Sequence, residues 1–136
     1  MTPQSAAVAA DYGAVTPYSQ AGRAYVEADV ATASPQRLVV MLYDGAIRFL
    51  HQAAVATRAG RRDVARKRLR AAHAIINHLD FSLDMSRGEI PARLRSIYQF
   101  CNRDLIESTA NGDPDGYDRV AKLLAELRTS WERIEA

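Results

Sequence analysis

A single cysteine, Cys101, leaves this chain of 136 residues with no internal disulfide to form. That fits a reducing compartment. No uncharged apolar run approaches the ~18 residues that a membrane span needs. The alanine-rich start (Ala6, Ala7, Val8, Ala9, Ala10) has no basic lead and is too short for a secretory core. A cytoplasmic location is therefore expected. None of His51, His73 and His78 has a glutamate three residues before it, so the Glu-x-x-His pairs of a di-metal bundle are missing. There is also no glycine-rich phosphate loop, no cysteine pair for zinc, and no serine, histidine and acid set at triad-like spacing. Cys101 falls on an inward stripe with nothing basic near it to lower its pKa, and reads as a small core group. The expectation is a protein without catalysis, metal or cofactor.

With 48% hydrophobic and 25% charged residues, the composition is that of one soluble globular domain. A net charge of +2 places little demand on the choice of partner. The cations are clustered, however, with Arg61, Arg62, Arg66, Lys67, Arg68 and Arg70 inside ten residues. Arg66, Lys67 and Arg70 lie opposite the apolar stripe Ala65, Leu69, Ala72, Ile76 and Leu79. They read as a solvated face, since no aromatic interleaves the run to stack bases. Nucleic acid is not an expected partner, and a nucleic-acid-binding or dimerisation module is the alternative.

Residues 1–22 carry only Asp11 as a charge and show no sustained period, which predicts a flexible N-terminal tail. Four long helical segments follow within a domain of residues 23–136. Ser34 is an N-cap with Pro35 at the first helical position, and that helix runs to about Arg58 before Gly60. The second covers roughly Arg62 to Met85, with Ala65, Leu69, Ala72, Ile76, Leu79 and Leu83 on one seam. The third runs from about Glu89 or Ile90 to Ala110, with Ile90, Leu94, Ile97, Cys101 and Leu105 inward and Tyr98 beside them. Asp113 then caps a helix with Pro114 at its first position, whose inward residues are Tyr117, Val120, Leu124, Leu127, Trp131 and Ile134. No stretch alternates like a half-buried strand. Long helices joined by short breaks run antiparallel, so the expected fold is all-α: an up-and-down four-helix bundle with a short N-terminal helix or cap segment.

The first helix carries more apolar surface than one core contact requires. Leu38, Leu42, Gly45, Phe49 and Ala53 form one stripe, and Val39, Tyr43, Ala46, Ile47, Leu50 and Ala54 widen the arc to roughly 200°, against ~100° for a helix packed on one side. Val39, Tyr43, Ala46, Ile47 and Leu50 are expected to supply the surplus face, with Leu38, Leu42 and Phe49 nearer the core. A glycine inside a helix costs about 1 kcal/mol relative to alanine. Gly45 is thus either a point of close helix packing or a shallow floor for a partner helix.

Tyr25, Val30, Ala33, Ser34-Pro35 and Leu42-Tyr43-Asp44-Gly45-Ala46, followed in order by Ile75-Ile76, Leu79, Leu83, Leu94-x-x-Ile97-Tyr98, Ala110-Asn111 and Leu127-Arg128-x-x-Trp131, resemble the FliS family of flagellin-specific export chaperones. The resemblance implies a cytoplasmic bundle that binds the disordered C-terminal segment of flagellin, prevents premature polymerisation and delivers the subunit to the type III export apparatus. It implies an export-gate component as a further partner, and it places Tyr25 over part of the groove in the free chaperone. Tyr25, Val30, Val39, Leu42, Tyr43, Gly45, Ala46, Ile47 and Leu50 are the expected partner-binding residues. A homodimer through the same apolar arc is the competing use when client is absent.

Overall fold

Ser34 fixes where the bundle begins, because its hydroxyl accepts the backbone N–H of Arg37 at 3.1 Å while Pro35 occupies the first helical position. The computed structural model describes residues 34–135, with side chains described through Arg133. Tyr25, Val30 and the expected tail lie outside the described residues. Helix α1 spans Pro35–Arg58, α2 Arg62–Phe81, α3 Glu89–Ala110 and α4 Pro114–Glu135, with one 3₁₀ turn at Met85–Arg87. No strand occurs among the described residues.

Two of the three connections close on the same hydrogen-bond pattern. After α1, the N–H of Arg61 donates to the Ala56 carbonyl at 2.8 Å and that of Gly60 to Thr57. After α3, Asp113 donates to Ser108 at 2.8 Å and Gly112 to Thr109. Each is a Schellman cap, and each puts its glycine in the left-handed region, at φ 74° for Gly60 and 63° for Gly112. The Asp113 carboxylate then accepts the Asp115 N–H at 3.0 Å, so one short turn ends α3 and starts α4.

Ion pairs set the antiparallel register. Asp44 meets Arg128, His51 meets Asp118, and Arg58 meets both Asp115 and Asp118 along α1 and α4. Asp80 with Arg95, and His73 and Asn77 with Asn102, do the same for α2 and α3. Asp104 with Arg119 ties α3 to α4. The close backbone approaches of α1 are to α2 and α4, which makes it the most heavily packed helix. α3 completes the square with much less close approach to its two neighbours.

This arrangement corrects the sequence reading of α1. Tyr43, Ala46 and Leu50, expected on the surplus face, have no accessible surface and join Phe49, Val40, Ala53 and Ala54 in the core. Leu38 and Leu42, expected nearer the core, are half-buried, as are Val39 and Ile47. The physical reason is that α1 packs on two flanking helices and reaches the diagonal one, so most of its wide arc is consumed internally. By length and composition α1 is also apolar enough to cross a membrane, the one such helix among the described residues. The same composition suits a core helix with three helices around it.

Two further boundaries shift. α2 ends at Phe81 rather than near Met85, because the Asp84 carboxylate accepts both the N–H and the hydroxyl of Ser86 and folds the chain into its own turn. Ile90, expected inward, is 71% exposed. In the register set by Asp80 and Arg95 it lies opposite a position beyond the end of α2, so no helix covers it. Ile75 is buried, which widens the seam read for α2.

Candidate functional site

Three helices converge on a polar chain inside the core. The Trp131 indole N–H of α4 donates to the Tyr43 hydroxyl of α1 at 3.2 Å, and Tyr43 is hydrogen-bonded to the Tyr98 hydroxyl of α3 at 2.5 Å. Both tyrosines are buried, and burial raises the pKa of each above its ordinary value, so both stay neutral at physiological pH. A buried hydroxyl without a partner is costly. The chain satisfies the tyrosine pair and holds the half-buried indole at one orientation. Beside it, the Arg128 guanidinium contacts the Asp44 carboxylate and Glu132, closing the α1–α4 edge with charge.

The surface around this chain is incompletely sealed. Val39, Leu42 and Ile47 of α1, Leu94 and Ile97 of α3, and Leu123, Leu127 and Trp131 of α4 pack on the core with part of their surface left accessible. The register from Asp104 and Arg119 sets Phe100 opposite Leu123 and Ile97 opposite Glu126, next to Leu127. Phe100 is 50% exposed. A shallow apolar seam therefore runs between α3 and α4 from the Asp104–Arg119 bridge toward Trp131, where the two backbones make little close approach.

The far end of the same seam is shut. A Cβ placed on Gly116 would fall 1.7 Å from the Ser108 hydroxyl oxygen, so α3 and α4 touch there through a residue that only glycine can provide. Ser108 is the one buried polar residue among those described. Of the expected partner-binding residues, the structure thus puts Val39, Leu42 and Ile47 at the accessible fringe, and Tyr43, Gly45, Ala46 and Leu50 out of solvent. The buried members support the fringe from behind. Sequence reasoning did not single out Phe100, Leu123 or Gly116. Phe100 was detectable as a large aromatic lying off the inward stripe of α3; Gly116 had no signal short of the packing itself.

Burial and ion pairing set the state of the titratable groups among the described residues. Burial pushes the Cys101 thiol up to about 12, which keeps it protonated and unreactive. His78 is held toward its neutral form, again by burial. Burial acts to raise Asp118, and hydrogen bonds from Arg58 and His51 outweigh it and leave the carboxyl below its ordinary value. Among the described residues no three His, Cys, Asp or Glu side chains converge as metal ligands would.

Comparison with known proteins follows the same outline. The model of the family described as "Flagellar protein FliS" matches residues 18–136. The flagellar secretion chaperone FliS of Vibrio cholerae is 32% identical over 110 residues, covering 80% of this chain and 81% of that protein. The protein of the same name from Salmonella typhimurium is 33% identical over 113 residues, covering 80% and 82%. That of Bacillus subtilis is 28% identical over 110 residues, covering 81% and 82%. A match that begins ahead of α1 and takes in all four helices decides the matter: this chain belongs to the FliS family of flagellar proteins.

Proposed function

We propose that this chain is a flagellar secretion chaperone, a binding protein without catalysis that works in the cytosol on the disordered C-terminal segment of flagellin. The observation that carries the reading is the accessible apolar fringe on a bundle whose interior is otherwise closed, in a chain of this family. Val39, Leu42 and Ile47 on α1, with Ile97, Phe100, Leu123 and Leu127 along the α3–α4 seam, form the surface on which apolar client residues are buried. Tyr43, Gly45, Ala46 and Leu50 shape it from beneath, and Tyr25 and Val30 contribute from outside the described residues.

A segment that folds as it binds can wrap such discontinuous patches, gaining about 25 cal/mol per Å² of apolar surface buried against the cost of ordering itself. Masking that segment prevents premature polymerisation, and the complex is delivered to the type III export apparatus through a component of its gate. Without client, the same fringe is available for self-association. The test is co-purification with the last ~40–50 residues of flagellin from the same source, a length matched to a wrapped segment burying ~1,000–3,000 Å². A 1:1 complex is expected, weakened by Ile47→Asp or Phe100→Asp with helicity near normal. Failure to form that complex, or loss of the fold in both variants, would contradict the reading.

A further inference from the structure

Arginine has two distinct uses in this molecule. Arg58, Arg95, Arg119 and Arg128 each bridge one helix to another through an aspartate. The six cations from Arg61 to Arg70 do none of this: among the described residues, none forms an ion pair. Arg61, Arg62, Arg66, Lys67 and Arg70 are exposed, and Arg68 is half-buried. They also stand where a helix tolerates cations least. Arg61 is the N-cap of α2 and makes no side-chain capping bond, so positive charge is stacked on the positive end of the helix dipole. Like charges at i, i+4 add repulsion. Asp63 is the one acid of that first turn, and no ion pair among the described residues offsets the repulsion within the cluster.

We infer that this face is a docking surface for an acidic, helical protein segment, separate from the client seam. Arg62, Arg66 and Arg70 recur every fourth residue, which spaces them about 6 Å apart along α2. An acidic helix with carboxylates at the same interval matches that spacing. Arg66 and Arg70 lie seven residues before His73 and Asn77, which bond to Asn102, so they sit on the side of α2 that flanks α3. Carried one turn further, that register brings Ile106 of α3 opposite Arg70. Ile106 is 63% exposed. A cationic column edged by the exposed Ile106 suits a polypeptide carrying acidic and apolar residues together. A phosphodiester backbone would use the cations alone, and residues 61–80 contain no Tyr, Phe or Trp on which a base could stack.

The experiment uses the full chain and three probes: a 16-residue helical peptide with glutamate at every fourth position and leucine one turn away, a 16-nucleotide single-stranded RNA, and phosphatidylserine vesicles. Binding is followed by fluorescence anisotropy at two salt concentrations, with cosedimentation for the vesicles. The acidic peptide is expected to bind best and to weaken about tenfold from 50 to 200 mM salt, as exposed charge pairs are screened. The triple variant R62E/R66E/R70E is expected to lose at least about tenfold in peptide affinity, and Ile106→Ser about threefold, while binding of the flagellin segment stays unchanged. The triple variant's melting temperature should equal or exceed the parent's, because an acid at position 62 favours the first turn of α2 and acids at 66 and 70 stand among the remaining Arg61, Lys67 and Arg68. Tighter binding of RNA or vesicles, equal peptide binding by parent and triple variant, or a triple variant that melts well below the parent would each overturn the assignment.

Discussion

The Tyr43 hydroxyl, linked to Tyr98 and reached by Trp131, is where single atoms have the widest consequences. Tyr98→Phe leaves Tyr43 without its shortest partner in a dry site, and should cost about 1–3 kcal/mol of unfolding free energy in denaturant titrations. The alkaline limb of stability follows from the same groups. Burial raises Tyr43, Tyr98 and Cys101 above their unfolded values, so the folded state holds protons that the unfolded state has already released. Their contribution is fully present below the unfolded pKa values. It is lost progressively from about pH 9, where the unfolded thiol titrates, and more steeply above about pH 10, by up to ~1.4 kcal/mol per pH unit for each group. Denaturation midpoints measured from pH 7 to 11 should fall along that course, and Cys101→Ala should move the onset from about 9 to about 10. A flat profile through pH 11 would contradict it.

At the scale of the helix, the caps were the most legible part of the sequence. Ser34-Pro35, Gly60 and Asp113-Pro114 each encode a backbone conformation locally, and each stands where the residues alone had put it. The end of α2 was less legible, since Asp84 diverts the chain by a side-chain bond that competes with helix continuation. Core and fringe on α1 were legible only in part, with Val39 and Ile47 at the fringe and Phe49 in the core as expected. Periodicity gives the width of an arc but not how many neighbours cover it, and Tyr43, Ala46 and Leu50 went inside because two helices flank α1 and a third lies across it. Gly116 marks a place where α3 and α4 close tightly. Gly116→Ala should lower the melting temperature through its clash with Ser108, and Ser108→Gly should restore much of the loss. Equal stability of Gly116→Ala and the parent would show that the helices are free to separate there.

The molecule as a whole divides its surface by chemistry. One edge is shut by ion pairs between α1 and α4, the α3–α4 seam is apolar and half-open, and the outer face of α2 is cationic. Truncation of residues 1–23 should leave the melting temperature unchanged, because the four helices build a shared core among the described residues; a large drop would assign that segment a structural role. The most direct test of the central claim is hydrogen–deuterium exchange of the full chain on titration with the C-terminal segment of flagellin. The account predicts saturation at one segment per chain, with new protection concentrated at residues 39–47, 97–100 and 123–127. Saturation without protection at any of these positions, or no saturable binding, would contradict it.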